Sequence, residues 1–173
     1  MASTNKVMAM MWFSVSKQGL LSMILAVVAL LLAQTAHSKT IDGQAERVNL
    51  DQFVETNYPS VEGTKVIVVP KNIQFRAKIK RHPEHIQARY VFKALGMMQV
   101  NPLPPISHRM FIETSNGKIF SMYVEKATAK AIEKQLAVDQ WYEFQGYHVY
   151  NYAKGPAIVI DQLVSTQALS GGS

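Results

Sequence analysis

The stretch Thr64–Lys80 reads TKVIVVPKNIQFRAKIK and decides the fold. After the apolar run and Pro70, apolar and polar residues alternate. One face receives Ile73, Phe75, Ala77 and Ile79, and the other receives Gln74, Arg76, Lys78 and Lys80. A period of two is typical of a half-buried strand. We therefore predict a long strand over 64–80, bent or bulged at Pro70–Asn72, because proline removes a ladder donor.

Downstream of this strand, the sequence predicts a hairpin, a helix and two more strands. Asn116-Gly117 separates two strand-like runs, which is a strong hairpin signal. The predicted strands are Arg109–Thr114, Lys118–Val124, Trp141–Tyr152 and Ala157–Val164. Helix formers fill Lys126–Leu136, and there we expect one face to hold Ala127, Ala131, Ile132 and Leu136.

Two further helices are predicted around the first strand. Asn49 is a suitable N-cap for a short helix over Leu50–Thr56. After the strand, His82-Pro83-Glu84 predicts a helix start and Gly96 a C-cap, with a strand over Ala88–Lys93 as the alternative. Three prolines make Met97–Ser107 an extended connector.

The N-terminal region has the plan of a secretory signal peptide. Leu20–Ala33 is uncharged and apolar and follows Lys17, while Ala36 and Ser38 form a small-x-small cleavage pattern. We expect cleavage after Ser38 and a periplasmic or secreted protein. An uncleaved anchor is the alternative, although 20–36 is shorter than the about 20 residues that span a bilayer.

Composition narrows the chemistry. The chain has no cysteine, which excludes disulfides and thiolate nucleophiles. Residues 39–173 carry 16 basic and 12 acidic residues, a net charge of +4 that suits an anionic partner without selecting one. The sequence contains no G-x-S-x-G elbow, P-loop or dinucleotide fingerprint. We therefore expect a protein that is not an enzyme and that has no cofactor.

The order of elements resembles the OB-fold, a five-stranded Greek-key barrel. Val61-Glu62-Gly63-Thr64-Lys65-Val66 is similar to the V-x-G-x-x-V start of its first strand, and YEFQG at 142–146 is similar to its Y-x-F-x-G fourth strand. The resemblance implies a mainly β fold with a helix between strands three and four. Here a helical, proline-rich insertion, Arg81–Ser107, separates strands one and two. The family includes small exported bacterial proteins.

The resulting division is a signal peptide at 1–38, a flexible leader and short helix at 39–60, an OB-like domain at 61–164 and a flexible tail at 165–173. The resemblance implies that strands two and three bind oligonucleotides or oligosaccharides. We expect the binding surface to include Arg76, Lys78, Lys80, Arg109, Phe120, Tyr123, Tyr147 and Tyr150. A solvated strand face would also show alternating basic residues, and a barrel core would also be rich in aromatic residues. Both alternatives to a binding surface therefore remain open.

The expected function is that of a binding or assembly module of the bacterial envelope. Its partner is an envelope protein or an anionic polymer, and it contacts the membrane only through an uncleaved signal segment. A metal or haem carrier is an alternative, because histidine is a common metal ligand. The weak candidate ligands are His82, His85, His108 and His148.

Processing is testable by expressing the full chain in a bacterium and measuring the intact mass of the envelope form. We expect a chain that starts at Lys39, because signal peptidase accepts the small side chains of Ala36 and Ser38. A chain that retains residues 1–38 in the membrane fraction would show that this segment is an anchor.

Overall fold

The computed structural model describes residues 41, 43–57, 63–165 and 167. The predicted signal segment, the Val61-Glu62 part of the first motif and most of the predicted tail lie outside these residues. The strands are β1 (Glu46–Arg47), β2 (Val66–His85), β3 (Ile106–Glu113), β4 (Ile119–Glu125), β5 (Trp141–Tyr152) and β6 (Gly155–Leu163). The helices are α1 (Leu50–Thr56), α2 (Arg89–Met97) and α3 (Lys126–Gln135). The described part of the chain is therefore mainly β.

The strands of the single sheet pair in a ring. β2 pairs with β5 and β3, β3 pairs with β4, and β5 pairs with β6, all antiparallel. The ring closes through a short parallel contact in which Tyr123 faces Val159 and Val124 faces Ile160. The two-residue strand β1 lies parallel to β2. The five predicted strands are thus present, with β1 as a sixth.

The alternating pattern of β2 is confirmed by burial. Its four predicted inward residues, Ile73, Phe75, Ala77 and Ile79, are all almost completely buried. The predicted bulge is also present, because the pairing with β5 shifts register between Ile67 and Lys71. This irregularity accommodates Pro70, which has no N–H for the ladder.

The helix start predicted at His82-Pro83-Glu84 is wrong, because β2 continues to His85. The end of β2 pairs with β3, where Glu84 faces Arg109 and His85 faces His108. The register shifts between Arg81 and Glu84, and this bulge accommodates Pro83 inside a strand. Pairing with a distant strand therefore overrides a local helix-start signal.

The insertion does contain a helix, α2, but it begins at Arg89, seven residues after His82. Gly96 is not its C-cap, since it lies inside the last turn and Met98 follows as the cap. The predicted extended connector follows, and its last residues, from Ile106, belong to β3.

Two apolar clusters cover β5 and β6 from opposite sides. The first lies inside the ring and includes Phe75, Met110, Phe144, Ile158 and Ile160. The second lies on the other face and joins α2 to the sheet; it includes Val91, Leu95, Tyr147, Tyr150 and Val159. Burial on both faces explains why the β5 sequence is aromatic on both faces.

The N-terminal helix agrees with the sequence. Asn49 caps α1 by accepting a hydrogen bond from the Gln52 N–H at 3.2 Å. The leader before it differs from the predicted flexible segment. Asn72 donates side-chain hydrogen bonds to the carbonyls of Ile41 and Gly43, and β1 pairs with β2. These contacts fix the described part of the leader to the sheet.

The third helix has the predicted position and a different buried face. Thr128, Ala129 and Ile132 are buried, whereas Ala127 is exposed. Thr128 donates its hydroxyl hydrogen to the carbonyl oxygen of Asp161. This contact to β6 orients the helix, and an apolar pattern alone does not include it.

The closest approach between β5 and β6 requires glycine at 146. A Cβ at this position would lie 2.2 Å from the carbonyl oxygen of Val159. We expect Gly146→Ala to destabilise the protein by about 1–3 kcal/mol, as overpacking does. Gly96→Ala is the control, because its Cβ would meet open space inside a helix and alanine is favoured there. Urea unfolding measures both, and equal stability of the two variants would contradict this account.

Candidate functional site

A cleft with a volume of about 380 Å³ lies on the face of β3 and β4 that points away from the first cluster. It is formed by three separate parts of the chain. The lining residues are Ile86, Gln87, Arg109, Ser121, Tyr123, Tyr152 and Lys154. They come from the segment after β2, from β3 and β4, and from the end of β5 with the turn that follows it.

The cleft opens where β4 and β6 diverge. These strands pair only at Tyr123–Val159 and Val124–Ile160. The start of β4 carries Ser121, and the turn that leads into β6 carries Lys154, and both residues line the cleft. The short closing contact of the ring therefore leaves a gap between two strand ends.

A group of tyrosines supports one wall of the cleft. The hydroxyls of Tyr123 and Tyr150 are 3.0 Å apart. The Tyr150 ring also contacts Tyr90 edge-on at 4.8 Å and Tyr152 at 5.7 Å between ring centroids. Burial raises the pKa of Tyr150, so its hydroxyl stays protonated and available for hydrogen bonding. The two tyrosines that line the cleft are therefore held by a third that is buried.

The two cations of the cleft differ in how they are compensated. Arg109 donates hydrogen bonds to Glu84, and its guanidinium lies 5.1 Å from the Phe111 ring. The hydrogen bond from Arg109 lowers the pKa of Glu84, which therefore stays ionised at neutral pH. Lys154 forms no salt bridge with any described residue. The cleft thus has one cation whose charge is not offset by a neighbouring acid.

The basic row consists of Arg76, Lys78 and Lys80 on one face of β2, and acids compensate its two lysines. Lys78 and Lys80 both form salt bridges with Glu113, and Lys80 also pairs with Asp139. The hydrogen bond from Lys78 is the main cause of a lowered pKa of Glu113. Arg76 lies 5.3 Å from the Trp141 ring. The cations of this row therefore already interact with other side chains of the protein.

Three predicted surface residues are buried, and their assignment to the surface is wrong. Phe120 is 8% exposed and packs in the first cluster. Tyr147 and Tyr150 are 2% and 3% exposed and pack in the second cluster. Arg109 and Tyr123 do line the cleft, whereas the other candidates do not.

The sequence patterns do not indicate that Gln87, Ser121, Tyr152 and Lys154 belong to the site. Ser121 lies between two buried residues of a strand, so alternation alone places it outside the core. The turn at 153–155 adjoins the predicted fourth strand and is the one signal that points to Lys154. Nothing in the sequence indicates that this turn faces Ser121.

The four histidines do not form one site. His85 and His108 lie opposite each other on β2 and β3, with ring centroids 5.6 Å apart. His148 is elsewhere, against Phe53 and 2.7 Å from Asn151 Oδ1. Within the described residues, no group of three or more histidine, aspartate or glutamate side chains is placed to hold a metal ion.

A pair of acids lies beside the closing contact of the ring. Glu125 and Asp161 directly follow Val124 and Ile160, the last closing pair. Tyr147 donates a hydrogen bond to Glu125 Oε1 at 3.2 Å, while Asp161 Oδ1 is buried and has no partner among described residues. Burial raises the pKa of both carboxyl groups. These two acids are far apart in the chain, so the sequence does not indicate that they are neighbours.

Comparisons with known proteins add no assignment. No protein-family model matches this chain. A comparison with curated proteins also finds no match. Among the described residues, no helix is both long enough and apolar enough to cross a membrane.

The raised pKa of Asp161 gives a test of the electrostatics at the closing contact. The folded protein holds this proton more tightly than the unfolded chain, so stability falls as pH rises through the raised pKa. We expect Asp161→Asn to raise Tm at about pH 8 by roughly 2–4 °C, the effect of about 1 kcal/mol. The gain should shrink toward about pH 4, where the unfolded carboxyl group is also protonated.

Asp139→Asn is the matched control with the opposite sign. The hydrogen bond from Lys80 lowers the pKa of Asp139, so its contribution is present at neutral pH and lost on acidification. Calorimetry across this pH range compares both variants. A gain for Asp161→Asn that does not change with pH would contradict an electrostatic origin.

Proposed function

We propose that this protein is an exported, non-enzymatic, OB-fold-like binding module of the bacterial envelope. The observation that carries the proposal is the cleft between β4 and the β5–β6 turn, which combines tyrosine rings, polar side chains and an uncompensated cation. A concave site with a few convergent polar groups is the usual form of a binding site.

The OB-fold part of the proposal is supported by the order of elements. The ring runs β2, β3, β4, β6, β5 and returns to β2, with α3 between β4 and β5. This order agrees with a five-stranded Greek-key barrel that has a helix between its third and fourth strands. The insertion departs from the usual short connection, and α2 packs over β5 and β6.

The charges favour a ligand with few negative groups over a polyanion. The lysines of the basic row are paired with Glu113 and Asp139, and Arg109 is paired with Glu84. A polyanion would have to compete with these acids for each cation. Lys154 forms no salt bridge with a described residue and can bind one anionic group, while Tyr123 and Tyr152 contribute aromatic side chains to the cleft lining. Export itself rests on the signal-peptide pattern of residues 1–38.

The role of the cleft is testable with Lys154→Glu. The probes are tetragalacturonate, an oligothymidylate and a random peptide library, which represent an acidic glycan, a single-stranded nucleic acid and polypeptides. We expect the probe that binds wild-type protein to bind Lys154→Glu about tenfold more weakly, because attraction becomes repulsion. The salt dependence should be shallow, equivalent to about one ion pair rather than several.

Lys130→Glu is the matched control, because it makes the same charge change on the exposed side of α3. It should leave binding unchanged. NMR amide shifts would locate the bound probe. The proposal is wrong if no probe class shifts the signals of cleft residues, or if both charge reversals weaken binding equally.

A further inference from the structure

We propose that the cleft binds an extended polypeptide segment, which adds to the free edge of β4 as a further strand. This inference rests on the proposed function, because it names the ligand class of the same cleft. Addition of a peptide to a sheet edge is a general mode of recognition in which main-chain hydrogen bonds supply affinity and side-chain contacts supply specificity.

The hydrogen-bond pattern of the β3–β4 hairpin identifies the free edge. The Thr114 N–H donates to the Lys118 carbonyl at 3.0 Å. Because bonded and non-bonded pairs alternate in antiparallel strands, Phe120 and Met122 direct their N–H and C=O groups toward β3. The main-chain groups of Ile119 and Ser121 therefore point to the opposite edge.

The next residue of this series supports the assignment. Tyr123 points the same way as Ser121, and it is the residue of β4 that faces Val159 of β6. Before Tyr123, no described strand pairs with this edge, since the only β4–β6 pairs are at 123 and 124. The N–H and C=O groups of Ile119 and Ser121 are therefore available to a partner strand.

Within the described part of the chain, this edge lacks the usual protection against strand addition. Proteins commonly block an edge with proline, with charged residues or with a covering element. The segment 119–122 reads IFSM and contains neither proline nor charge. Ile119 is 54% exposed, and Ser121 lines the cleft. The edge is apolar at its start and opens into the cleft two residues later.

The surroundings define the chemistry of the added segment. The exposed Ile119 side chain favours an apolar neighbour on the same face of the added strand. Lys154 forms no salt bridge with a described residue. Arg109 forms an ion pair with Glu84, so a single acid shares its charge among the described residues. These charges favour an acidic side chain in the part of the segment that passes through the cleft. The partner is thus an extended segment with an apolar residue followed or preceded by an acid.

A glycan or a nucleic acid fits these observations less well. Neither would use a row of strand main-chain groups, and a nucleic acid would need the cations that Glu84 and Glu113 already compensate. Both classes remain outcomes of the test.

The test uses Ser121→Pro with Ser121→Ala as its matched control. Protein made from the full chain is used to select binders from a phage-displayed random dodecapeptide library, and the selected peptides are then synthesised. Ser121→Pro removes one N–H of the free edge and leaves the bonds to β3 intact, whereas Ser121→Ala removes only the hydroxyl. We expect the peptides to lose affinity at least about tenfold on Ser121→Pro and little on Ser121→Ala.

A second measurement does not depend on the folding of the proline variant. Peptides methylated at alternate backbone nitrogens keep their side chains and lose one edge of main-chain donors. One of the two methylation registers should abolish binding to wild-type protein, while the other should not. Hydrogen exchange at Ile119 and Ser121 should slow in the complex.

The outcomes separate this inference from the proposed function. If the library yields no binder, or if its binders are insensitive to Ser121→Pro and to both methylation registers, strand addition is wrong. If tetragalacturonate or oligothymidylate then binds with dependence on Lys154, the cleft is a binding site for a different polymer. If no probe class shifts the signals of cleft residues, both proposals are wrong.

Discussion

The fold depends on one strand that must satisfy two neighbours. The first half of β2 bonds to β5 and its second half bonds to β3, so the strand has to change direction while its inward row stays buried. The bulges near Pro70 and between Arg81 and Glu84 provide that curvature, because a bulge bends a strand and increases its twist. The buried row from Ile73 to Ile79 then faces the interior of the ring, where the residues of β3, β4 and β5 complete the first cluster.

Because β2 pairs with β3 and β5, the ring closes between the two strands that do not pair with β2, which are β4 and β6. The contact between β4 and β6 is limited to two residue pairs, and a different constraint ends it on each side. Beyond Val124, only Glu125 remains in β4 before α3 begins at Lys126, so the pairing with β6 cannot continue. Before Tyr123, the β5–β6 hairpin is held from its other face by α2 and the tyrosine cluster. The cleft is therefore a consequence of how the ring closes.

Most strands, helices and turns can be predicted from the sequence, whereas the contacts between distant elements mostly cannot. Alternation identified the strands, Asn49 identified a helix cap, and Asn116-Gly117 identified the hairpin, because each of these signals acts within a few residues. The end of β2 was misassigned since Pro83 resembles a helix start until β3 supplies a pairing partner. The aromatic sequence of β5 likewise does not show that α2 covers one face of this strand. Tyr147 and Tyr150 were placed at a surface for that reason, and Lys154 was missed because its neighbours across the cleft come from other strands.

The internal ion pairs of the sheet make the free edge of β4 a better ligand-binding surface than the charged face. The charged residues on β2 and β3 stabilise the sheet locally, since each acid there contacts at least one cation. A ligand that bound those cations would leave Glu84 and Glu113 without ion-pair partners. The free-energy penalty for the unpaired acids would offset part of the binding free energy. The main-chain N–H and C=O groups of Ile119 and Ser121, which point to the free edge, pair with no described strand. A ligand that bonds to them gains hydrogen bonds without breaking any that the protein already makes, and Lys154 can add selectivity for an acid at the same place.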